Sequence, residues 1–222
     1  FLSIEPFLKW IPMLYPGKVH ARNNNELKLW VSKTKNYKRI YNITYVAGYR
    51  PHREQSIKSC KEHSNCKFFD CDKDKCITKN VFNVISWYIE SKFCFQPTGD
   101  SPSRQGFFDS LMSGCIPIVS KNVLDMYSTY IPFIGIDLSE YVLISENMRE
   151  SIKKVSIINE NKRVKIMNKI INDIIPRIMM SPQTTDFKDG VLHILDYIHE
   201  KKKSCNVVRW WDLRENWSQT HF

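Results

Sequence analysis

The chain has 222 residues, of which 42% are hydrophobic and 13% are aromatic, so it can bury a sizeable core. Its 33 Lys and Arg residues against 23 Asp and Glu residues give a formal charge of +10, which favours anionic partners such as nucleotides or acidic glycans. This composition excludes a mainly disordered chain, and no apolar run approaches the roughly 18 residues that a membrane-spanning helix needs. No recognised nucleic-acid motif accompanies the basic residues, so we expect no nucleic-acid partner.

The N-terminal part of the chain is hard to assign, because Pro6, Pro12 and Pro16 interrupt it repeatedly. Since the chain begins with Phe1 rather than Met, we expect that a preceding segment has been lost. We interpret residues 1–41 as the remnant of a first domain or as an edge layer on the domain that follows.

The first clear strand is the β-branched and aromatic run from Ile43 to Ala47. It leads into Gly48 and Arg50, and a polar helix is predicted to begin near Pro51. A basic residue between a buried strand and a helix is a candidate phosphate ligand, so Arg50 is our first site residue. An ordinary surface arginine is the alternative.

Four of the seven cysteines lie close together in the sequence, at Cys60, Cys66, Cys71 and Cys76. Their spacing is a poor match to zinc sites, which use paired short spacings. Two local disulfides in an oxidising compartment or four free thiols in a reducing one both remain open. Cys94 and Cys115 lie inside apolar strands, and we interpret them as small core residues.

The most informative stretch runs from Phe93 to Val119. Its pattern predicts a strand, a polar loop, a helix of about three turns and a second strand, with Ser103 as the helix N-cap and Gly114 just past the helix C-terminus. The two strands most economically lie parallel in one sheet. This unit therefore directs a helix N-terminus at the edge where α/β proteins bind nucleotides.

Two charged residues of this helix are candidate ligands for a nucleotide. Arg104 is predicted in the first turn, where a cation is unfavourable unless an anion binds beside it. Asp109 lies farther along the helix, where a carboxylate can accept hydrogen bonds from the vicinal hydroxyls of a ribose. Ser101 and Ser103 add hydroxyl donors. A routine capped helix with an exposed Asp109 is the alternative interpretation.

The rest of the chain predicts one further strand and then helices. The strand is predicted over residues 141–145, and helices over 147–157, 160–180 with a kink at Pro176, and 186–201. We assign residues 42–200 to a Rossmann-like α/β domain with a parallel sheet. Residues 201–222 carry three tryptophans, and we expect this tail to pack back on the body.

The central stretch resembles the core motif of the exostosin-type glycosyltransferases, most of all their plant xyloglucan and pectin branch. The resemblance includes, in order, Gln96-Pro97, Gly99-Asp100-Ser101, Arg104, Phe108-Asp109-Ser110 and Gly114-Cys115-Ile116-Pro117. It extends more faintly to Val46–Arg50, so that the segment from Ile43 to Tyr141 carries it. Several short motifs in the right order are far more specific than a lone glycine-rich loop.

This resemblance implies a GT-B fold, in which two Rossmann-like domains face each other and this region is the C-terminal, donor-binding one. It implies inverting transfer from a nucleotide sugar, mostly UDP-linked, to an oligosaccharide or glycoprotein glycan, with no bound metal or other cofactor. The compartment stays open: the resemblance points to the Golgi lumen, and a host cytoplasm is the alternative for a viral member of the family. Arg50 and Arg104 would neutralise the diphosphate, and Asp109 would hold the ribose. Gly99, Asp100, Ser101 and Ser103 would line the phosphate and sugar end of the site.

The general base stays unassigned. In GT-B enzymes it usually comes from the N-terminal domain, which here corresponds to the short acceptor-side region 1–41. The titratable side chains available there are Glu5, His20 and Glu26.

Two alternatives compete with this interpretation. Asp70, Asp72 and Asp74 follow a short strand, as in metal-dependent GT-A glycosyltransferases, where a divalent cation would stabilise the leaving group. Neighbouring lysines would weaken cation binding there, which favours a simple charged turn. A non-catalytic module that binds a nucleotide or a glycan is the second alternative.

Overall fold

The protein is a parallel α/β domain. The computed structural model describes residues 18–73, 81–98, 104–130, 135–180 and 190–204. Five strands form one sheet in the order β2-β1-β3-β4-β5, and every neighbouring pair is parallel. The strands are β1 (Tyr41–Ala47), β2 (Cys66–Asp70), β3 (Ser91–Phe95), β4 (Ile116–Val119) and β5 (Leu143–Ile144). The predicted Rossmann-like sheet is thereby confirmed.

Helices connect and cover these strands. They are α1 (Asn24–Asn36), α2 (Glu54–Lys61), α3 (Val81–Ile89), α4 (Gln105–Met112), α5 (Lys121–Tyr130), α6 (Met148–Ile157), α7 (Glu160–Lys169), α8 (Ile175–Ile178) and α9 (Gly190–Ser204). Asn147 caps α6 by accepting a hydrogen bond from the Glu150 N–H, as its residue type favours. A π-helical turn at Ile170–Ile174 separates α7 from α8. It lies just before Pro176, which lacks the N–H that a continuous helix would use.

The sheet is buried on both faces. Ile43 and Tyr45 of β1 belong to the larger hydrophobic cluster, whereas Val46 points into a smaller cluster with Val84 and Tyr88 of α3. Burial on both faces explains why β1 reads as a nearly continuous apolar run rather than an alternating one.

Two disulfides cross-link the described part of the chain. Cys60 is bonded to Cys66, in agreement with the local disulfides that the cysteine spacing left open. Cys94 and Cys115 are buried in the core as expected, but they are also joined by a disulfide that was not predicted. The strands β3 and β4 are neighbours, which brings the two Cα atoms to 5.9 Å, within disulfide range. This second bond closes the chain around α4 and the loop before it.

The segment before β1 packs on the same core as the sheet. Ala21 and Leu27 belong to the larger cluster, and the indole N–H of Trp30 donates to the Met112 carbonyl at 2.8 Å. The division of the chain at residue 41 stays a prediction. Residues 205–222, with the predicted aromatic tail, lie outside the described residues. Within the described ranges, no helix is both long and apolar enough to cross a bilayer.

Candidate functional site

The strand order creates a crevice at the carboxyl edge of the sheet. The chain leaves β1 toward β2 on one side and later returns to place β3 on the other side. Loops therefore diverge between the ends of β1 and β3, and ligands of open α/β sheets bind at such a point. The residues that follow these strands are Gly48–Arg50 and Gln96–Thr98. The two loops that the sequence singled out are thus neighbours.

Arg104 links the two strand ends. Its Nη2 donates to the Val46 carbonyl at 2.9 Å, and its Nη1 lies 3.5 Å from the Pro97 carbonyl oxygen. Arg104 has extended backbone angles and is the N-cap of α4, so its predicted place in the first turn was wrong by one residue. A guanidinium has five N–H donors, and these two contacts leave others for a ligand in the crevice.

Arg50 lies on the same edge, directly after β1 and its short loop. Its side chain is exposed, and its Nη1 donates to the Tyr49 carbonyl at 2.7 Å. The structure therefore places both predicted phosphate ligands at the carboxyl ends of β1 and β3. The N-cap of α4 is Arg104 and not Ser103 as predicted. The other predicted ligands at this end, together with Ser103 itself, lie outside the described residues; they are Gly99, Asp100 and Ser101.

Asp72 shapes the loop that carries Arg50. Its Oδ2 accepts a hydrogen bond from the Tyr49 N–H at 2.6 Å. A Cβ atom at Gly48 would lie 2.5 Å from the Asp72 Oδ1, so a larger residue at that position would require the Asp72 side chain to shift. No local pattern connects these residues, because 23 positions separate Tyr49 from Asp72.

The hydrogen bonds of Asp70 and Asp72 also show what these residues do in the acidic turn after β2. Asp70 Oδ1 accepts from the Asp72 N–H at 3.1 Å, which is a local turn contact, and Asp74 lies outside the described residues. Across the described ranges, no three His, Cys, Asp or Glu side chains are grouped in a way that could hold a metal ion. Asp70 and Asp72 thus have a structural use in the turn and in the Arg50 loop.

Asp109 is buried rather than exposed, with 1% of its surface accessible. Its Oδ1 accepts a hydrogen bond from the backbone N–H of Lys18 at 2.9 Å. Burial raises the pKa of the Asp109 carboxyl to about 6, although the Lys18 N–H and the charges of Lys18, His20 and Arg104 oppose the rise. The carboxylate therefore faces the segment that precedes α1. Arg50 and Arg104 lie at the carboxyl edge of the sheet.

Two buried polar side chains, those of Tyr127 and Gln96, support this site in roles that were not predicted from the sequence. The Tyr127 hydroxyl accepts from the Arg104 N–H at 2.9 Å, and its ring stacks on Phe107 at 3.8 Å between centroids. The side chain of Gln96, directly after β3, donates to the Tyr88 hydroxyl at 3.1 Å. Burial raises the pKa of Tyr88 to about 12, so this hydroxyl stays protonated at neutral pH. No local pattern marks Tyr127, because its partner lies 23 residues away.

The structure describes two of the three candidates for the general base. Glu26 is committed to Arg22, which it meets at 2.7 Å, and to the N-terminus of α1. His20 is exposed and lies close enough to Asp109 for its charge to lower the pKa of that carboxyl. Glu5 lies outside the described residues. The base stays unassigned.

The chain is similar to a known protein family and to several plant proteins. The family described as the Exostosin GT47 domain matches residues 11–160. The probable xyloglucan galactosyltransferase GT12 of Arabidopsis thaliana is 34% identical over 176 residues, which cover 74% of this chain and 34% of that protein. The probable xyloglucan galactosyltransferase GT17 of the same plant is 31% identical over 205 residues, or 87% of this chain and 45% of the relative.

A relative with a different printed activity also matches. The xyloglucan-specific galacturonosyltransferase 1 of Arabidopsis thaliana is 26% identical over 193 residues, which cover 80% of this chain and 28% of that protein. The chain thus spans less than half the length of each of these three relatives. Because the family match covers most of the chain and includes both arginine-bearing loops, the chain belongs to the Exostosin GT47 family, with its Rossmann-like α/β fold.

Proposed function

We propose that this chain is the donor-binding part of an inverting glycosyltransferase that uses a nucleotide sugar, most specifically a UDP-sugar, and needs no bound metal. The observation that carries this proposal is the position of Arg104. Its guanidinium lies between the carboxyl ends of β1 and β3, directly before the N-terminus of α4. Membership in the Exostosin GT47 family supports the transfer of a sugar, and its relatives' printed names supply galactose and galacturonate as examples.

The proposed chemistry follows from the charge on the leaving group. When the sugar departs, negative charge develops on the UDP diphosphate and must be stabilised. Arg104 and Arg50 would donate charge-assisted hydrogen bonds to the diphosphate oxygens, and N–H groups in the first turn of α4 would add to them. The phosphate and sugar end of the donor site would be completed by Gly99, Asp100, Ser101 and Ser103. Two arginines would then do the work that a metal cation does in other glycosyltransferases.

Asp109 would hold the ribose. One carboxylate oxygen already accepts from the Lys18 N–H, so a ribose hydroxyl would donate to the other oxygen. Because the side chain is buried, the segment from Lys18 to His20 would have to shift when the nucleotide binds. The energetic cost of a buried carboxylate is typical of residues that are kept for function.

The acceptor side would be built with residues outside the described ranges or outside this chain. Its occupant would be an oligosaccharide or a glycoprotein glycan, because the Exostosin GT47 relatives are named for transfer to xyloglucan.

A thermal-shift panel of UDP-, GDP- and free sugars, with and without EDTA, tests the proposal directly. We expect UDP and UDP-sugars to raise the melting temperature, GDP-sugars to raise it less and free sugars to leave it unchanged. A binding module without catalysis would give the same shifts, so hydrolysis or transfer of the UDP-sugar is measured in parallel. Equal shifts with UDP and GDP would contradict the assignment of a UDP donor.

Metal removal gives a further prediction. Release of UDP from a UDP-sugar should continue in EDTA at about the untreated rate, because the arginines supply the positive charge. The control adds Mn²⁺ after chelation. Activity that disappears in EDTA and returns with Mn²⁺ would move the leaving-group role to a metal held near Asp70 and Asp72.

Replacing Tyr127 with phenylalanine tests how Arg104 is positioned. The variant should bind UDP about five- to tenfold more weakly, because the Arg104 N–H loses its hydrogen-bond acceptor, a loss of about 1 kcal/mol. The matched control is Tyr141→Phe, which removes a hydroxyl bonded to Asp173 at 3.1 Å, far along the chain from the arginines. Titration calorimetry with UDP measures both. Equal UDP affinity in the two variants would leave Tyr127 with a structural role alone.

A further inference from the structure

A second cavity lies at the amino edge of the sheet, at the opposite ends of the strands from the arginine site. It has a volume of about 500 Å³ and is formed by the end of α1, the start of β3 and one face of α7. Among the described residues that line it, the cations are Lys35, Arg39, Lys92 and Arg163, and Glu160 is the carboxylate. We call this cavity the amino-edge pocket.

Arg39 forms the floor of the amino-edge pocket, and its two terminal nitrogens are used by the fold, whereas its buried Nε has no hydrogen-bond partner among the described residues. Its two terminal nitrogens donate to four backbone carbonyls at 2.9 to 3.2 Å, which belong to Thr34, Tyr88, Ser91 and Ser113. It thereby ties together the C-terminal ends of α1, α3 and α4. Burial and, to a smaller extent, the charge of Arg163 together lower the pKa of Arg39 to about 10, so two cations lie close together here. Arg39 remains charged at neutral pH.

Arg163 is less well satisfied. Only 7% of its surface is accessible. Its Nε and Nη2 donate to Glu160 at 2.6 to 3.0 Å, whereas its Nη1 lies 3.5 Å from the thioether of Met167, which is a weak acceptor. Glu160 also faces Lys92 at 3.8 Å, so one carboxylate serves two cations. A buried guanidinium nitrogen with only a sulfur acceptor is a position where an oxygen anion would bind more strongly.

The remaining side chains fit a saccharide better than a bare anion. The side chain of Lys35 forms no hydrogen bond or ion pair within the described part of the chain. Its ammonium group is therefore available to a ligand at the rim of the pocket. Tyr37, which is 36% exposed, offers an aromatic face, and Asn36 and Asn168 offer amides that both donate to and accept from hydroxyls. A cavity of this volume also exceeds what an inorganic anion fills and lies in the range of small-molecule sites.

We propose that the amino-edge pocket binds an acidic saccharide, whose carboxylate lies among Lys35, Lys92 and Arg163 and whose ring packs on Tyr37. The cations provide the selectivity for a charged sugar, and the amides and the ring distinguish a sugar from a simple anion. This site is separate from the donor site, because the first lies where the strands begin and the second where they end. The proposal does not depend on the transfer reaction, and either one can fail without the other.

Calorimetric titration of the protein with trigalacturonate tests this proposal. The methyl-esterified trisaccharide serves as the probe that keeps the rings and loses the charge, and sodium sulfate serves as the bare anion. We expect trigalacturonate to bind and the other two to bind at least about tenfold more weakly. Arg104→Ala should bind trigalacturonate like the wild type, since that residue lies at the other edge of the sheet.

Matched variants locate the binding. Lys35→Gln should weaken trigalacturonate binding about tenfold, and Tyr37→Ala should weaken it by a similar factor, while Lys153→Gln on the exposed face of α6 leaves it unchanged. Each variant's melting temperature confirms that it is folded. The proposal would be overturned if trigalacturonate did not bind, or if the methyl ester or sulfate bound as tightly as trigalacturonate. It would also be overturned if Lys153→Gln weakened trigalacturonate binding as much as the pocket variants do.

Discussion

Replacing Arg104 with alanine is expected to weaken UDP binding by at least about a hundredfold. Two charge-assisted hydrogen bonds to diphosphate oxygens would be lost, and each is worth about 1.5–3 kcal/mol. The positive charge at the crevice between β1 and β3 would also fall. Titration calorimetry with UDP measures the loss, and the UDP-induced rise in melting temperature should disappear with it.

The same substitution affects the fold, and the experiment has to separate the two effects. Arg104 also bonds to the Val46 carbonyl, so the alanine variant should melt at a lower temperature even without a ligand. The UDP-induced shift is therefore taken from each variant's own unliganded baseline. Arg149→Ala, an exposed arginine of α6, is the matched control and should keep the full shift. A full UDP-induced shift in the Arg104 variant would rule out this phosphate site.

Replacing Asp109 with asparagine is expected to stabilise the protein at neutral pH. The pKa of the Asp109 carboxyl is about 6 in the folded protein against an ordinary value of 3.8, because burial disfavours the charge. The folded state therefore binds the proton more tightly, and stability from this group is full below pH 3.8 and is lost as the pH rises to about 6. The neutral amide has no such loss.

The size and pH window of this effect are specific. The difference in unfolding free energy between Asp109→Asn and the wild type should widen by about 3 kcal/mol from acidic pH to pH 8, mostly between about pH 4 and 6. Urea unfolding at several pH values measures it. Asp125→Asn, which removes an exposed carboxylate of α5, should change stability by only about 0.5 kcal/mol. Parallel pH curves for the Asp109 variant and the wild type would contradict the assignment.

The stabilised Asp109 variant should at the same time bind its nucleotide less selectively. If the carboxylate holds the ribose, the wild type should prefer UDP over 2′,3′-dideoxy-UDP, and Asp109→Asn should lose about tenfold of that preference. A gain in stability with a loss in ligand selectivity is the usual pattern for a strained functional group. A variant that is more stable and equally selective would leave Asp109 as a buried carboxylate that only contacts the Lys18 backbone.

Family membership and the positions of the two arginines at one edge of the sheet could be predicted from the sequence, because they depend on motifs in a fixed order. Arg50 comes shortly after β1, and Arg104 comes between β3 and α4, directly before α4, so chain order alone placed both near the carboxyl edge of the sheet. Asp109 was correctly placed on α4, yet its burial was not foreseen, because the segment that covers it comes from residue 18, which is 91 positions away. The amino-edge pocket was also missed, because three separate elements form it.

The sequence by itself determined the local features of this protein. Asn147 caps α6, a helix turn starts at Pro51, and Gly114 adopts a positive φ of 63° after α4, as their residue types favour. These features depend on neighbours within a few positions. The tertiary structure decided the strand order, the Cys94–Cys115 disulfide and the contact of Tyr127 with Arg104. Each of these requires segments that are distant in the chain to pack together, and only the burial of the whole core selects that arrangement.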